Sequence, residues 1–169
     1  MPVRAVLHYP NALLKRPAEP AVDSDPASRR GLARDLVDTM RASPATIGLA
    51  APQIGELVRS FVLDVSGHPR ATSSHGPVVL FDPELEVLDD EGAEVLREGC
   101  LSVPDLTANV RRSGRIVVRA TGLDTEPLTL EMEGFEARAA QHELDHLDGL
   151  LILDRVRHAG DVFPRRVYR

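Results

Sequence analysis

The nine residues Gln141-His-Glu-Leu-Asp-His-Leu-Asp-Gly149 constrain the fold more than any other stretch of the chain. Within them His142, Glu143 and His146 spell H-E-x-x-H. Two histidines four positions apart share one face of a helix, about a turn from each other, so both imidazoles can reach a single metal ion. Glu143 stands beside that face with a side chain long enough to reach a water on the ion, so one helical turn supplies ligands and a general base. The segment therefore demands a helix, and it points to metal-assisted hydrolysis. A helix carrying two histidines is not by that fact a metal site, however, and a catalytic site normally takes three protein ligands and leaves one position open. The third ligand must come from elsewhere.

The only cysteine offers itself for that role. Cys100 lies in Arg97-Glu-Gly-Cys-Leu-Ser-Val-Pro104, just past a strand-like run. Taken alone, a lone cysteine is a small buried hydrophobe. Gly99 directly before it lets the backbone approach something closely, and a thiolate binds iron, zinc or nickel tightly. A third segment, Ile47-Gly-Leu-Ala-Ala-Pro-Gln-Ile-Gly55, carries one amide side chain, Gln53, among apolar residues. The plain reading is a turn or short helical start with Gln53 satisfying nearby backbone; the functional one is a donor aimed at developing negative charge.

In that order, G-L-A-A-x-Q, E-G-C-L-S and Q-H-E-x-D-H-x-x-G resemble the peptide deformylase family, metal enzymes that remove the formyl group from the starting methionine of new polypeptides. Val6-Leu-His-Tyr-Pro10 and Leu150-Leu-Ile-Leu-Asp-Arg155 resemble it too, so the similarity covers nearly the whole chain. The resemblance implies that Cys100, His142 and His146 bind one ion with a fourth position for water, and that Glu143 handles the protons. It implies that Gln53 and the backbone N–H of Leu101 stabilise the charge on the formyl oxygen. Gly48 and Glu98-Gly99 resemble edges that pair with an extended peptide, and Ile47 and His142 stand where the methionine pocket would be. Mixed thiolate and imidazole ligands suit Zn2+, Fe2+, Ni2+ or Co2+; the resemblance implies Fe2+ as the physiological ion and N-formylmethionyl nascent peptides as partners. Two features depart from the pattern. Thr46 stands where the family has a glycine, implying a more restricted backbone, and the chain continues only briefly after Asp154, with Gly160 and Pro164 interrupting any long terminal helix.

Two other function classes share parts of this pattern. A peptidase built on H-E-x-x-H would take its third ligand from a downstream Glu or His and leave Cys100 and Gln53 without a role. A non-catalytic binding protein that kept the fold would have no use for an intact ligand set and Glu143.

At 169 residues and 43% hydrophobic, the chain is expected to form one catalytic domain over residues 1–169. One cysteine excludes an internal disulfide framework and fits a reducing cytosol. With no signal pattern and no long apolar run, a soluble, cytoplasmic protein is expected. A net charge of -6 argues against general nucleic-acid binding. Arg165, Arg166 and Arg169 form a small basic cluster that could touch ribosomal RNA transiently, though a solvated tail is the simpler reading.

Ser24-Asp-Pro26 supplies a helix start, followed by Leu32, Leu36, Val37 and Met40 on one face. Strands are expected over Val58 to Val65, Val78 to Leu88, Ala93 to Leu96, Arg115 to Thr121 and Leu128 to Met132. Residues 66–77 read as an exposed loop with solvated His68 and His75. A helix from about Phe135 should bury Phe135, Leu144 and Leu147 and stop at Gly149. The expected class is α+β, with antiparallel sheets around a central metal-binding helix.

Overall fold

The computed structural model describes residues 3–22 and 24–166. Its first helix, α1 (Pro26–Ala42), begins where the sequence places it: Asp25 accepts hydrogen bonds from the backbone of Ala27 and Ser28, and Pro26 occupies the first turn. Leu36 and Met40 are buried, while Leu32 and Val37 pack half-buried beside them.

Five strands, β1 (Gly48–Ala50), β2 (Ser60–Leu63), β3 (Val78–Asp89), β6 (Arg115–Thr121) and β7 (Pro127–Glu133), form one antiparallel sheet in the order β1-β2-β3-β6-β7. Three more, β4 (Glu94–Cys100), β5 (Val103–Arg112) and β8 (Val162–Pro164), form a second antiparallel sheet in the order β4-β5-β8. The second helix, α2 (Gly134–Leu147), packs on the first sheet, where Ala137, Ala140, Leu144 and Leu147 join Phe61, Leu63, Leu80 and Ile116 in one apolar cluster. The class is α+β, as expected, with α2 at its centre.

Gly149 ends α2. It has φ +74°, its N–H bonds to the carbonyl of His146, and the N–H of Leu150 bonds to that of Asp145. These are the two bonds that close a helix on a left-handed residue. A side chain at Gly149 would also stand 2.8 Å from the carbonyl oxygen of Lys15, so the histidine helix stops against the N-terminal segment.

Several expectations need correction. The stretch whose plain reading is a turn or short helical start is in its first part a strand, β1, while a short 3-10 helix over Ala51–Ile54 matches the helical start in its second. Its strand character comes from pairing with β2, because glycine and alanine carry no β signal of their own. β4 runs on through Gly99 to Cys100 rather than ending at Leu96, and β5 and β8 were not foreseen. Residues 66–77 carry no regular structure but are tied down. Ser73 Oγ and the His75 N–H donate to the buried carboxylate of Glu136, and the His68 ring stacks on Phe135 with centroids 4.0 Å apart. His68 is therefore half-buried rather than fully solvated, and Phe135, covered by it, is half-buried as well. Thr46 needs no glycine: the residue with φ in the left-handed region is its neighbour Ala45, at 55°. Of the basic cluster, Arg169 lies outside the described residues.

Candidate metal centre

The two sheets leave β1 and β4 as edge strands, and both edges border one cavity of about 300 Å³. Ile47, Gly48, Glu98, Gly99, Leu101 and Gln53 all line it, together with Cys100, His142 and Glu143. His146, the remaining residue singled out in the sequence, lies behind them, buried.

The candidate ligands converge from two elements. His142 and His146 come from α2, with ring centroids 5.1 Å apart and planes nearly perpendicular. Cys100 ends β4, where the pairing register with β5 shifts between Gly99 and Cys100. Such a shift re-aims a side chain, and here Sγ lies 3.3 Å from His146 Nε2. One donor atom from each of the three residues falls within 4.8 Å of the others. His68 and His75 are not part of this group.

The donor set fits a soft or borderline divalent cation. Burial pushes the Cys100 thiol up, but the imidazoles of His146 and His142 outweigh it and hold the thiol well below its ordinary range. Burial pulls His142 down, while its bonds to Cys100 and Glu98 lift it well above the usual imidazole range. A thiolate facing two imidazoles inside the protein is a donor set that positive charge stabilises. His142 Nδ1 is held by Glu98 Oε2 at 2.9 Å, which leaves Nε2 as the nitrogen for a ligand role.

Glu98 is thus placed differently from a simple edge residue. It lies on the edge strand, but its side chain turns inward, 7% exposed, and its carboxylate oxygens take four bonds. Arg112 approaches both oxygens at 3.0 Å, Arg138 reaches Oε1 at 2.7 Å, and His142 meets Oε2. Burial raises the Glu98 carboxyl, yet His142 and Arg112 outweigh it and keep it far below the ordinary carboxylate range. Arg112 also reaches Asp145 Oδ2 at 2.5 Å. Neither Arg112, Arg138 nor Asp145 was singled out in the sequence. The available signal was a helix whose inner positions 138, 141 and 145 are polar, which a purely apolar packing face would not tolerate.

Glu143 is buried among apolar atoms and the histidines. Burial raises its carboxyl to about 7, against the pull of His142 and His146. Among the described residues, its Oε2 has no hydrogen-bond partner. Gly48 explains how the carboxylate fits: a Cβ built there would stand 2.5 Å from Glu143 Oε1, so only glycine leaves room. Gln53 is nearly fully buried. Its Oε1 accepts from the Ala50 N–H at 2.9 Å, and its Nε2 donates to Ser102 Oγ at 3.1 Å and lies 3.8 Å from Cys100 Sγ.

Comparison with known proteins agrees with this geometry. The family model for polypeptide deformylase matches residues 3–161. A peptide deformylase of Aquifex aeolicus is 40% identical over 92% of this chain and 88% of its own length, and one of Desulforudis audaxviator is 41% identical over 92% and 94%. The crystal structure of peptide deformylase from Thermotoga maritima superposes with a TM-score of 0.82 at 35% identity, covering 94% of this chain and all of the other. Because the match runs through Cys100, His142 and His146 and nearly end to end along these relatives, the chain belongs to the polypeptide deformylase family.

Proposed function

We propose that this protein is a metal-dependent hydrolase that removes the N-formyl group from the initiator methionine of newly made polypeptides and releases formate, acting as one catalytic domain over residues 1–169. The observation that carries this reading is the conjunction of three donors, one unpaired carboxylate and two open strand edges around a single cavity. Cys100, His142 and His146 hold the ion, Fe2+ being the physiological choice that the family implies, with Zn2+, Ni2+ or Co2+ also suited to the donors. Once bound, the ion supplies Lewis acidity toward the formyl oxygen and makes water acidic enough to react near neutral pH.

The chain's own residues do the rest. Glu143 Oε2, with no partner among the described residues, takes the proton of the attacking water and passes it to the departing methionine nitrogen. Gln53 Nε2 carries two hydrogens; Ser102 holds one firmly, and the one whose only acceptor is a sulfur 3.8 Å away turns toward the formyl oxygen as charge gathers there. The N–H of Leu101, beside Cys100 at the cavity wall, is the second donor. An extended peptide lies along the edges at Gly48 and Glu98-Gly99, held through its backbone, which tolerates many sequences. Ile47 and His142 receive the methionine side chain.

No helix of the described residues is long and apolar enough to cross a membrane. A cytoplasmic location with nascent chains as partners follows from the proposed substrate, and transient ribosome contact through the basic C-terminal residues is compatible with it. The test is to incubate the metal-loaded protein with formyl-Met-Ala-Ser and with an unformylated peptide. Formate from the first and no internal cleavage of either is expected. Internal cleavage would make the protein a peptidase, and inertness toward both a binding protein.

A further inference from the structure

The cavity is lined by four arginines against two glutamates, in a chain whose net charge is -6. Both glutamates are accounted for: Glu98 is neutralised by Arg112 and Arg138, and Glu143 is buried. Arg138 is likewise consumed by Glu98 and backbone carbonyls. Arg70, Arg97 and Arg165, by contrast, are exposed and form no ion pair among the described residues; Arg70 lies over the Phe135 ring of α2, whereas Arg97 stands on β4 and Arg165 beside Gly99 of the same strand. Among the described residues the Arg97 side chain hydrogen-bonds only to Asn109 Oδ1, at 3.3 Å, and that of Arg165 only to the carbonyl of Cys100, at 3.4 Å.

Their placement is built rather than incidental. β8 pairs with β5, the Arg165 N–H bonds to the carbonyl of Asp105, and the Arg97 guanidinium sits 3.4 Å over the Phe163 ring. These contacts fix the C-terminal segment on the side of β5 away from β4, from where the Arg165 side chain reaches over to β4. There the Arg165 guanidinium covers the outer face of Gly99, whose hypothetical Cβ would be 3.4 Å from Arg165 Nη2. Along β4, Glu98 and Cys100 point inward to the metal centre, while Arg97 and Gly99 point outward. Side chains of a peptide paired with this edge alternate in the same way. If the first enters the pocket on the inner side, the second emerges on the outer face, beside Arg97 and Arg165.

We infer that Arg165, whose side chain reaches Gly99 from just past the C-terminal strand, together with Arg97, makes this enzyme select formylated peptides with an acidic second residue. The assignment rests on the deformylase reading above. It makes the C-terminal segment part of the substrate site, where the sequence suggested a solvated tail.

The experiment compares formate release from formyl-Met-Asp-Ser, formyl-Met-Ala-Ser and formyl-Met-Lys-Ser, all amidated at the C-terminus to remove the terminal carboxylate, using the nickel-loaded full chain. An exposed charge pair contributes up to about fivefold, so kcat/KM for the Asp peptide should exceed that for Ala by about fivefold and that for Lys by more. About 1 M salt should compress the series through screening. Arg165→Ala should shrink the Asp-to-Lys ratio and Arg165→Glu should invert it; because the readout is a ratio within one protein sample, partial misfolding does not imitate it. Equal kcat/KM on the three peptides, or a ratio unmoved in Arg165→Glu, overturns the inference and leaves the deformylase reading standing. Formate from none of them overturns that reading, and the inference with it.

Discussion

On the side of α2 that meets the five-stranded sheet, Ala137, Ala140, Leu144 and Leu147 pack against Phe61, Leu63, Leu80 and Ile116. On the side that meets β4 and β5, Arg138 and Asp145 meet Glu98 and Arg112 in a buried ionic network. The first contact is non-directional: it fixes how deeply the helix sits, and apolar residues of similar volume could replace one another. The second is directional. Each oxygen of Glu98 takes two bonds, filling its acceptor capacity, and one of the four comes from His142 Nδ1. Apolar packing thus holds the helix in place, and the ionic network sets its rotation and aims a metal ligand.

Breaking the ionic side should have the largest effect. Arg112 is 5% exposed and joins Glu98 to Asp145. Arg112→Met leaves two buried carboxylates short of a partner, a change that costs about 3–5 kcal/mol. Urea unfolding of the metal-free protein reads this directly, and metal affinity should fall as well because Glu98 loses its anchor. Unchanged stability would mean that desolvation cancels the network's attraction.

On the apolar side, Leu147→Ala should rank next, at about 2–5 kcal/mol for the lost burial and the cavity left behind. Its distinguishing outcome lies elsewhere. Folded Leu147→Ala protein should bind metal as the parent does, since the Glu98 to His142 bond is untouched. Equal loss of metal affinity in the Leu147 and Arg112 variants would erase the division of labour between the two faces.

Glu98→Gln sharpens the comparison at the ligand itself. The amide keeps the shape and can still accept one bond from His142, but it can no longer face Arg112 and Arg138 with charge. Removing such a support typically weakens metal affinity by about 10–100-fold. Competition with a chromophoric chelator would measure it, and an affinity unchanged within twofold would show that the histidine needs no support from β4.

The same division explains what could be read from the sequence. Local signals were sufficient for α1, with its Asp25 cap and Pro26, for α2, and for β6, which runs over Arg115–Thr121 as expected. They failed where an element exists only through its partners. β1 is Gly-Leu-Ala, and β5 carries Pro104, Asp105 and Asn109 within a strand that β4 and β8 complete. At the site, residue types and spacing pointed to the donors and to Glu143, because their chemistry is local to short motifs. The ionic network was invisible: Glu98, Arg112, Arg138 and Asp145 come from β4, β5 and α2, and charged residues in a sequence read as surface until tertiary structure buries them. Gly48 was read as a peptide edge, and its second role, making room for Glu143, also appears only in three dimensions.

The smallest effect is expected at the rim of the network, where Arg155 pairs with the same Asp145 that Arg112 holds from within. The Arg155 side chain is 45% exposed, whereas that of Arg112 is 4% exposed, so water already competes for the outer pair. Arg155→Ala should therefore cost no more than about 1 kcal/mol, the range of exposed ion pairs, and the loss should shrink further in high salt. Asp145 would still be bonded to Arg112, so no buried charge is abandoned and metal affinity should hold. A double-mutant cycle with Arg112→Met supplies the decisive reading. If the two arginines act independently, the costs add within about 0.5 kcal/mol. If removing Arg155 is far more damaging once Arg112 is gone, the outer arginine is the reserve partner that keeps Asp145 paired, and the ionic face extends past α2 into the segment that follows it.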